Sequence, residues 1–197
     1  VMFELQDGRT NILFVGRVVA NKCQHDLIRA FGLLRRFDPS ARLLLVGGYD
    51  EREAYYRDLV RLIDELGLRG DVFFAGKVDD SYLHAYYRTA HLYWSMSEHE
   101  GFGVPFIEAM WFDIPVLAYR SSAVPETLGE GGLLFTDKGD LEQVAALAHL
   151  LVREQDLRDR VLAAQQQRRL DFLPENVLPV LGRLLQKMEA MSRTKPS

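Results

Sequence analysis

The 197 residues contain one cysteine, Cys23, which excludes an internal disulfide and any metal site built from several thiolates, and which agrees with a reducing compartment. Its ordinary role is that of a small, semi-buried residue. No apolar run reaches the roughly 18 residues a membrane-spanning helix requires, and the first residues lack the charged-then-apolar order of a signal peptide. The chain therefore reads as cytosolic. Cations are in short supply: 24 Lys and Arg against 28 Asp and Glu leave a formal charge of -4. That balance gives no excess to neutralise a polynucleotide backbone, so nucleic acid is not an expected partner. Small anions remain possible ligands, since they need only local positive charge. His25, His84, His91 and His149 show no metal-ligand spacing and are expected to be structural or solvent-facing. Internal repeats and low-complexity segments are also lacking.

What is present is an alternation. With 48% hydrophobic and 26% charged residues, the chain has the composition of one ordinary domain that buries roughly 70% of its unfolded surface. Asn11 to Val15 and Arg42 to Val46 are short apolar runs, and Leu27, Ala30, Phe31 and Leu34 repeat between them at helical spacing, which makes a βαβ unit. The pattern continues with a helix carrying Tyr55, Leu59, Leu62, Ile63 and Leu66, a strand at Val72 to Ala75, and a helix near Tyr82 to Ala90. Strands follow at His91 to Ser95, Val116 to Tyr119 and Leu133 to Phe135. Strands apolar on both faces and joined by helices imply an α/β fold, a Rossmann-like, doubly wound, six-stranded parallel sheet with helices on both faces. Three further helices are expected from near Asp140, Asp156 and Pro174, with the aspartates as N-caps and the proline in a first turn. Leu141, Val144, Ala145, Ala148 and Val152 make a core-facing stripe. Val177, Leu181, Leu184, Met188 and Met191 make another, which follows the completed sheet and has no evident partner, so that a homodimer through this last helix is a possible use of it. Residues 1–10 are expected to be a linker or an excision end, and 192–197 a disordered tail.

Right-handed crossovers and the commonest doubly wound order, 3-2-1-4-5-6, put strands 1 and 4 side by side where the winding reverses, and ligands bind in the crevice there. The two loops leaving these strands are Gly16 to Lys22 and Ser97 to Gly103. In the second, Gly101 and Gly103 permit close backbone approach, and a helix starting near Val104 or Pro105 offers N–H groups and the positive end of its dipole. Arg17 and Lys22 from the first loop add two positive charges, an arrangement suited to a diphosphate without a metal ion. Glu100 precedes this cradle and Glu108 follows eight residues later; carboxylates of this kind hydrogen-bond vicinal hydroxyls. Glu98 and His99 fit a solvated loop, and the aromatic set Tyr82, Tyr86, Tyr87, Tyr93 and Trp94 fits core packing by its spacing.

In combination these residues resemble a known family. Ser97-x-x-Glu100-Gly101-Phe102-Gly103-x-x-x-x-Glu108-Ala109-Met110, followed by Pro115-Val116, is similar to the two-glutamate motif of the family 4 (group 1) retaining glycosyltransferases of GT-B architecture. Gly16-Arg17-x-x-x-x-Lys22 is similar to that family's diphosphate-binding segment, Gly76-Lys77-Val78 to its base-contacting loop, and the turn before Pro125-Glu126 also fits. The resemblance runs from about Asn11 to about Leu185. It implies that residues 11–191 form the C-terminal, nucleotide-sugar-binding domain, one half of a GT-B fold. The acceptor would be bound by a missing N-terminal domain. The resemblance also implies that Gly16, Arg17 and Lys22 hold the donor diphosphate, with support from Gly101, Phe102, Gly103 and Val104. Glu108 would bind the ribose, Glu100 the transferred sugar, and the Val78 backbone the base. Glu100, Arg17 and Lys22 are the candidate catalytic residues; no cofactor and no metal is implied. A bare nucleoside diphosphate is then expected to feel Glu108 and not Glu100. Two departures stand out: Cys23 occupies a position where the family usually has glycine, and Trp111-Phe112-Asp113 replaces a small-residue and glycine turn. Asp113 is expected to close the helix in a left-handed conformation, and Trp111 to pack.

Rival readings are a two-domain nucleotide-sugar epimerase, which would need carboxylates and histidine from both domains, and a catalytically silent nucleotide-binding module, against which the intact Arg17, Lys22, Glu100 and Glu108 argue. A dinucleotide-dependent dehydrogenase fits worst, because strand 1 runs into Gly-Arg rather than Gly-x-Gly-x-x-Gly.

Overall fold

A computed structural model describes the backbone of residues 2–193 and the side chains of residues 4–188. Six parallel strands form one sheet in the order β3-β2-β1-β4-β5-β6, with β1 at Asn11–Val15, β2 at Arg42–Val46, β3 at Val72–Gly76, β4 at Leu92–Ser95, β5 at Val116–Tyr119 and β6 at Leu133–Phe135. The helices are α1 at Met2–Leu5, α2 at Gln24–Leu34, α3 at Ala54–Glu65, α4 at Asp80–Thr89, α5 at Val104–Trp111, α6 at Val124–Leu128, α7 at Leu141–Arg153, α8 at Gln155–Arg168 and α9 at Pro174–Arg193. The expected fold is therefore the observed one, with the reversal of winding between β1 and β4.

Side chains alternate between the two sides of a strand, and here both sides are dry. Ile12, Phe14, Leu43, Leu45, Leu92, Trp94 and Leu117 pack with Leu27, Phe31 and Leu34 of α2 and Val144 and Ala148 of α7. Leu13, Leu44, Val46, Tyr93, Val116 and Ala118 pack on the opposite face with Tyr87 of α4, Phe106 and Met110 of α5 and Leu128 of α6. The register of β1 on β2 runs without interruption from Asn11 opposite Arg42 to Val15 opposite Val46, whereas β2 on β3 shifts between Leu45 and Val46.

Several local expectations need correction. Asp140 caps α7, its carboxylate accepting from the Gln143 N–H, but Asp156 caps nothing. Glu154 ends α7 and begins α8, so the chain turns on a single extended residue and α8 starts before Asp156 is reached. Asp113 does adopt a left-handed conformation, with φ of 51°. Trp111 is half exposed rather than packed in the core, and the Arg169 guanidinium lies 4.7 Å from its ring centroid. Tyr87, Tyr93 and Trp94 are core residues, but Tyr82 is half exposed, and Leu66 of the α3 stripe is exposed too. The short helix α1 lies in the stretch expected to be a linker, and its Leu5 carbonyl accepts from Asn11 Nδ2 at 2.9 Å and from the Arg42 guanidinium at 3.0 Å. Ser192 and Arg193, expected in the tail, continue α9, while residues 194–197 and the Met191 side chain lie outside the described residues. Val177, Leu181, Leu184 and Met188 of α9 are exposed.

Candidate functional site

The crevice at the carboxyl ends of β1 and β4 is built on two fixed loops. The Gly16 N–H donates to the Val46 carbonyl at 2.8 Å. Fully buried Gln24 holds the next peptide, its Nε2 donating to the Arg17 carbonyl at 2.8 Å, and is itself held by the Tyr55 hydroxyl, which donates to Gln24 Oε1 at 3.1 Å. The backbone of Arg17 is thus restrained while its guanidinium is exposed and makes no hydrogen bond or ion pair among the described residues. Gly47, after β2, presses on the same loop: its φ is +146°, and a Cβ there would stand 2.1 Å from the Gly16 carbonyl oxygen. Cys23 joins the 3-10 turn Ala20–Lys22 to α2 with φ 51° and ψ 42°. This left-handed geometry explains why glycine suits the position.

The loop after β4 is tied on both sides. The Glu98 N–H donates to the Asn21 carbonyl at 2.9 Å, Ser97 Oγ lies 3.3 Å from that carbonyl, and the Glu100 N–H donates to Ser122 Oγ at 2.8 Å. The Thr127 hydroxyl donates to the Phe102 carbonyl. Gly103 precedes α5 with φ 82°, and a Cβ there would stand 2.5 Å from the Phe106 ring, so only glycine fits. Pro105 has no N–H, and the Phe106 N–H is spent on the Gly103 carbonyl. The N–H groups of Gly101, Phe102, Gly103 and Val104 make no hydrogen bond among the described residues, which leaves a run of four amides at the helix's positive end, a binding place for an anion.

The charges are arranged differently from the expectation. Lys22 Nζ lies 2.6 Å from Glu100 Oε2, with the two side chains 19% and 12% exposed, and 3.3 Å from the His99 carbonyl. Lys22 and Glu100 therefore meet each other across the crevice. Arg17 joins neither; it lines a cavity of about 450 Å³ with Tyr49, Asp50, Glu53 and Tyr55. Glu108 Oε2 accepts from the Tyr87 hydroxyl at 2.7 Å. Burial, the neighbouring Tyr93 and the Glu108 carboxylate raise the Tyr87 phenol above its ordinary pKa, so it stays a donor. Tyr93, raised chiefly by burial, donates to the Val15 carbonyl at 3.2 Å. Val78 packs partly buried against the α4 and α5 face, and Phe102 and Val104 are half exposed.

Two features escaped the sequence. The loop Gly47 to Tyr55 forms a wall beside Arg17; the Gly47-Gly48 pair closing an apolar run at a strand's carboxyl end was its available signal. Cys23, His25 and Asp26 place ligand-type atoms within 4.8 Å of one another, although the histidine spacing suggested no such grouping. Lys138 sits in that cluster, its Nζ 3.1 Å from Asp26 Oδ2 and 3.0 Å from Glu98 Oε1, so an ammonium already holds the charge position a cation would take.

Sheet order and crevice define one half of the GT-B architecture. The chain belongs to the family described as glycosyl transferases group 1, whose model matches residues 3–168. It is 30% identical over 145 residues to O-antigen chain mannosyltransferase B of Escherichia coli, covering 73% of this chain and 36% of that protein. With mannosylfructose-phosphate synthase of Agrobacterium fabrum it shares 36% identity over 138 residues, 68% of this chain and 30% of that protein. Sucrose-phosphate synthase from Thermosynechococcus elongatus superposes with a TM-score of 0.81 at 27% identity, covering 96% of this chain and 48% of that one. The chain thus spans about a third of the length of these curated relatives and about half of that solved structure. No described helix is long and apolar enough to cross a membrane.

Proposed function

We propose that this domain binds the nucleoside-diphosphate sugar donor of a retaining, metal-independent hexosyltransferase, whose acceptor is held by a second, N-terminal domain. The observation that carries this reading is the run of four unpaired amides from Gly101 to Val104 beside the Lys22 and Arg17 loop. A diphosphate leaving group gains charge as the glycosidic bond breaks, and fixed donors aimed at that charge act mainly in the transition state. Arg17 and Lys22 add full charges to the helix end, which is the role a divalent cation has in other transferases. Glu108, at the second position of the motif, binds the ribose hydroxyls, with Tyr87 holding its carboxylate in place. Glu100 binds a hydroxyl of the transferred sugar and releases Lys22 to the phosphates as it does so. The Val78 backbone contacts the base. The relatives named for mannosyl transfer and for sugar-phosphate synthesis support a hexose donor.

Titration calorimetry of the chain with UDP, GDP and ADP, in the presence of a chelator, tests the reading. Binding of at least one diphosphate is expected, weakened by Arg17→Gln. Binding that requires added magnesium or manganese, or that ignores Arg17→Gln, refutes it. Sugar transfer is expected from the two-domain protein and not from this chain alone, and equal turnover by both would overturn the half-enzyme assignment.

A further inference from the structure

At the other end of the sheet, around the amino ends of β1 and β4, lies a second cavity, of about 480 Å³. Arg9, Arg88, Arg153 and Arg158 line it together with His91, and no carboxylate does. In a chain whose formal charge is -4, four guanidinium groups around one concavity form a local excess that the composition does not predict. Two of the four have partners: Arg9 lies 2.6 Å from Asp71 Oδ1, and Arg153 lies 2.9 Å from buried Asp38 Oδ2. The other two, Arg88 and Arg158, have no carboxylate partner among the described residues, although the Arg88 guanidinium lies 5.9 Å from the Phe112 ring centroid. Arg158 Nε is buried with no hydrogen-bond partner. A buried donor left unmade is costly, and an acceptor entering the cavity removes that cost.

His91 adds a directed donor. Its Nδ1 accepts the Asn11 N–H at 3.0 Å, which fixes the proton of the neutral ring on Nε2, and no described acceptor takes that N–H. Burial above all, then Arg158 and, less strongly, Arg153 and Arg42, hold His91 below its ordinary pKa, with Asp38 pulling the other way. Guanidinium groups and an imidazole N–H around a cavity of this size match a compact, doubly charged oxyanion on a small molecule.

We propose that this cavity is a second anion site, which takes the phosphate group of a small phosphorylated molecule and is separate from the donor crevice at the opposite end of the sheet. The two sites share β1 and β4 and no side chain.

The test uses the chain carrying Arg17→Gln and Lys22→Gln, which removes the cations of the donor crevice, titrated with ribose 5-phosphate and with inorganic phosphate at constant ionic strength. Saturable binding is expected, accompanied by a shift of the His91 Nε2 resonance. Arg158→Gln and, separately, Arg88→Gln should each weaken it roughly tenfold or more, and Arg158→Lys should keep part of it. An unmoved His91 resonance, or binding that neither Arg158→Gln nor Arg88→Gln alters, overturns the proposal. Capture of the chain by vesicles of one part phosphatidylglycerol to three parts phosphatidylcholine, dependent on Arg88 and Arg158 while ribose 5-phosphate fails to bind, would assign the cavity to a membrane surface instead and overturn it as well.

Discussion

Lys22 and Glu100 oppose each other across the crevice, and that contact reverses what a paired-glutamate motif suggests about their substitution. On the proposed reading an incoming diphosphate uses the Lys22 ammonium, which Glu100 holds at 2.6 Å with both side chains under a fifth exposed. The carboxylate acts twice against a bare diphosphate: it competes for Lys22, and it repels phosphate oxygens. A carboxylate about 6 Å from one phosphate charge, at an effective dielectric of about 40 to 80, costs about 1 kcal/mol, which corresponds to roughly fivefold in affinity. Glu100→Gln keeps the shape and removes the charge, so it should tighten a bare nucleoside diphosphate by about that factor while harming sugar transfer in the two-domain enzyme. Glu108→Gln should do the opposite, because a lost charged hydrogen bond costs about 1.5–3 kcal/mol, roughly ten- to a hundredfold weaker binding. Calorimetry on both variants reads the two signs directly. The double substitution with Lys22→Gln isolates the cause: if the gain comes through Lys22, most of it disappears in that background. Weaker binding by Glu100→Gln than by Glu108→Gln would show that the two carboxylates have exchanged roles.

Three further outcomes follow from the loops and the strand ends. Gly103→Ala would place a Cβ 2.5 Å from the Phe106 ring at a φ of 82°; a loss of at least about 2 kcal/mol in urea unfolding is expected, and an unchanged midpoint would contradict the geometry. At Cys23, with φ 51°, Cys23→Val should destabilise more than Cys23→Gly by about 1–2 kcal/mol, since a branched side chain suits the left-handed region worst; differential scanning of both variants decides the order. His91 is held neutral, with its folded pKa below the unfolded value of 6.5. The unfolded chain then binds the extra proton first, so this group's contribution to stability falls as the pH drops through about 6.5 and levels off below the folded pKa. Urea unfolding from pH 8 to pH 5 should therefore lose part of its slope in His91→Gln, and an identical slope would refute the assignment.

Strand order was legible because runs such as Arg42 to Val46 are dry on both sides, a property characteristic of interior parallel strands, and because right-handed crossovers leave few orders open. The two crevice loops followed from that order. The Lys22 and Glu100 contact did not, because the residues lie 78 apart in the chain and long side chains choose partners by rotamer, which spacing does not encode. Asp156 was misplaced as a cap because α7 and α8 share Glu154, leaving no loop for a polar residue to mark. Trp111 misled for a related reason: its hydrophobicity is met by the stacked Arg169 and not by the core. The arginines around His91 were invisible because they come from four separate segments, the β1 approach, α4, α7 and α8, none of them basic as a run.

The contact of Gly47 with the Gly16 carbonyl reaches beyond local sterics. The end of β2 packs closely against the first peptide of the Arg17 loop, so the backbone at the start of that loop is fixed by the sheet itself. The backbone entropy of placing Arg17 is settled at folding, whereas its free guanidinium would still have to be ordered by a bound diphosphate. The same contact makes the loop answerable to the β2 and β3 edge, where the register already slips between Leu45 and Val46. Sequence changes along that edge, far from any phosphate, would be transmitted as a change in where Arg17 begins.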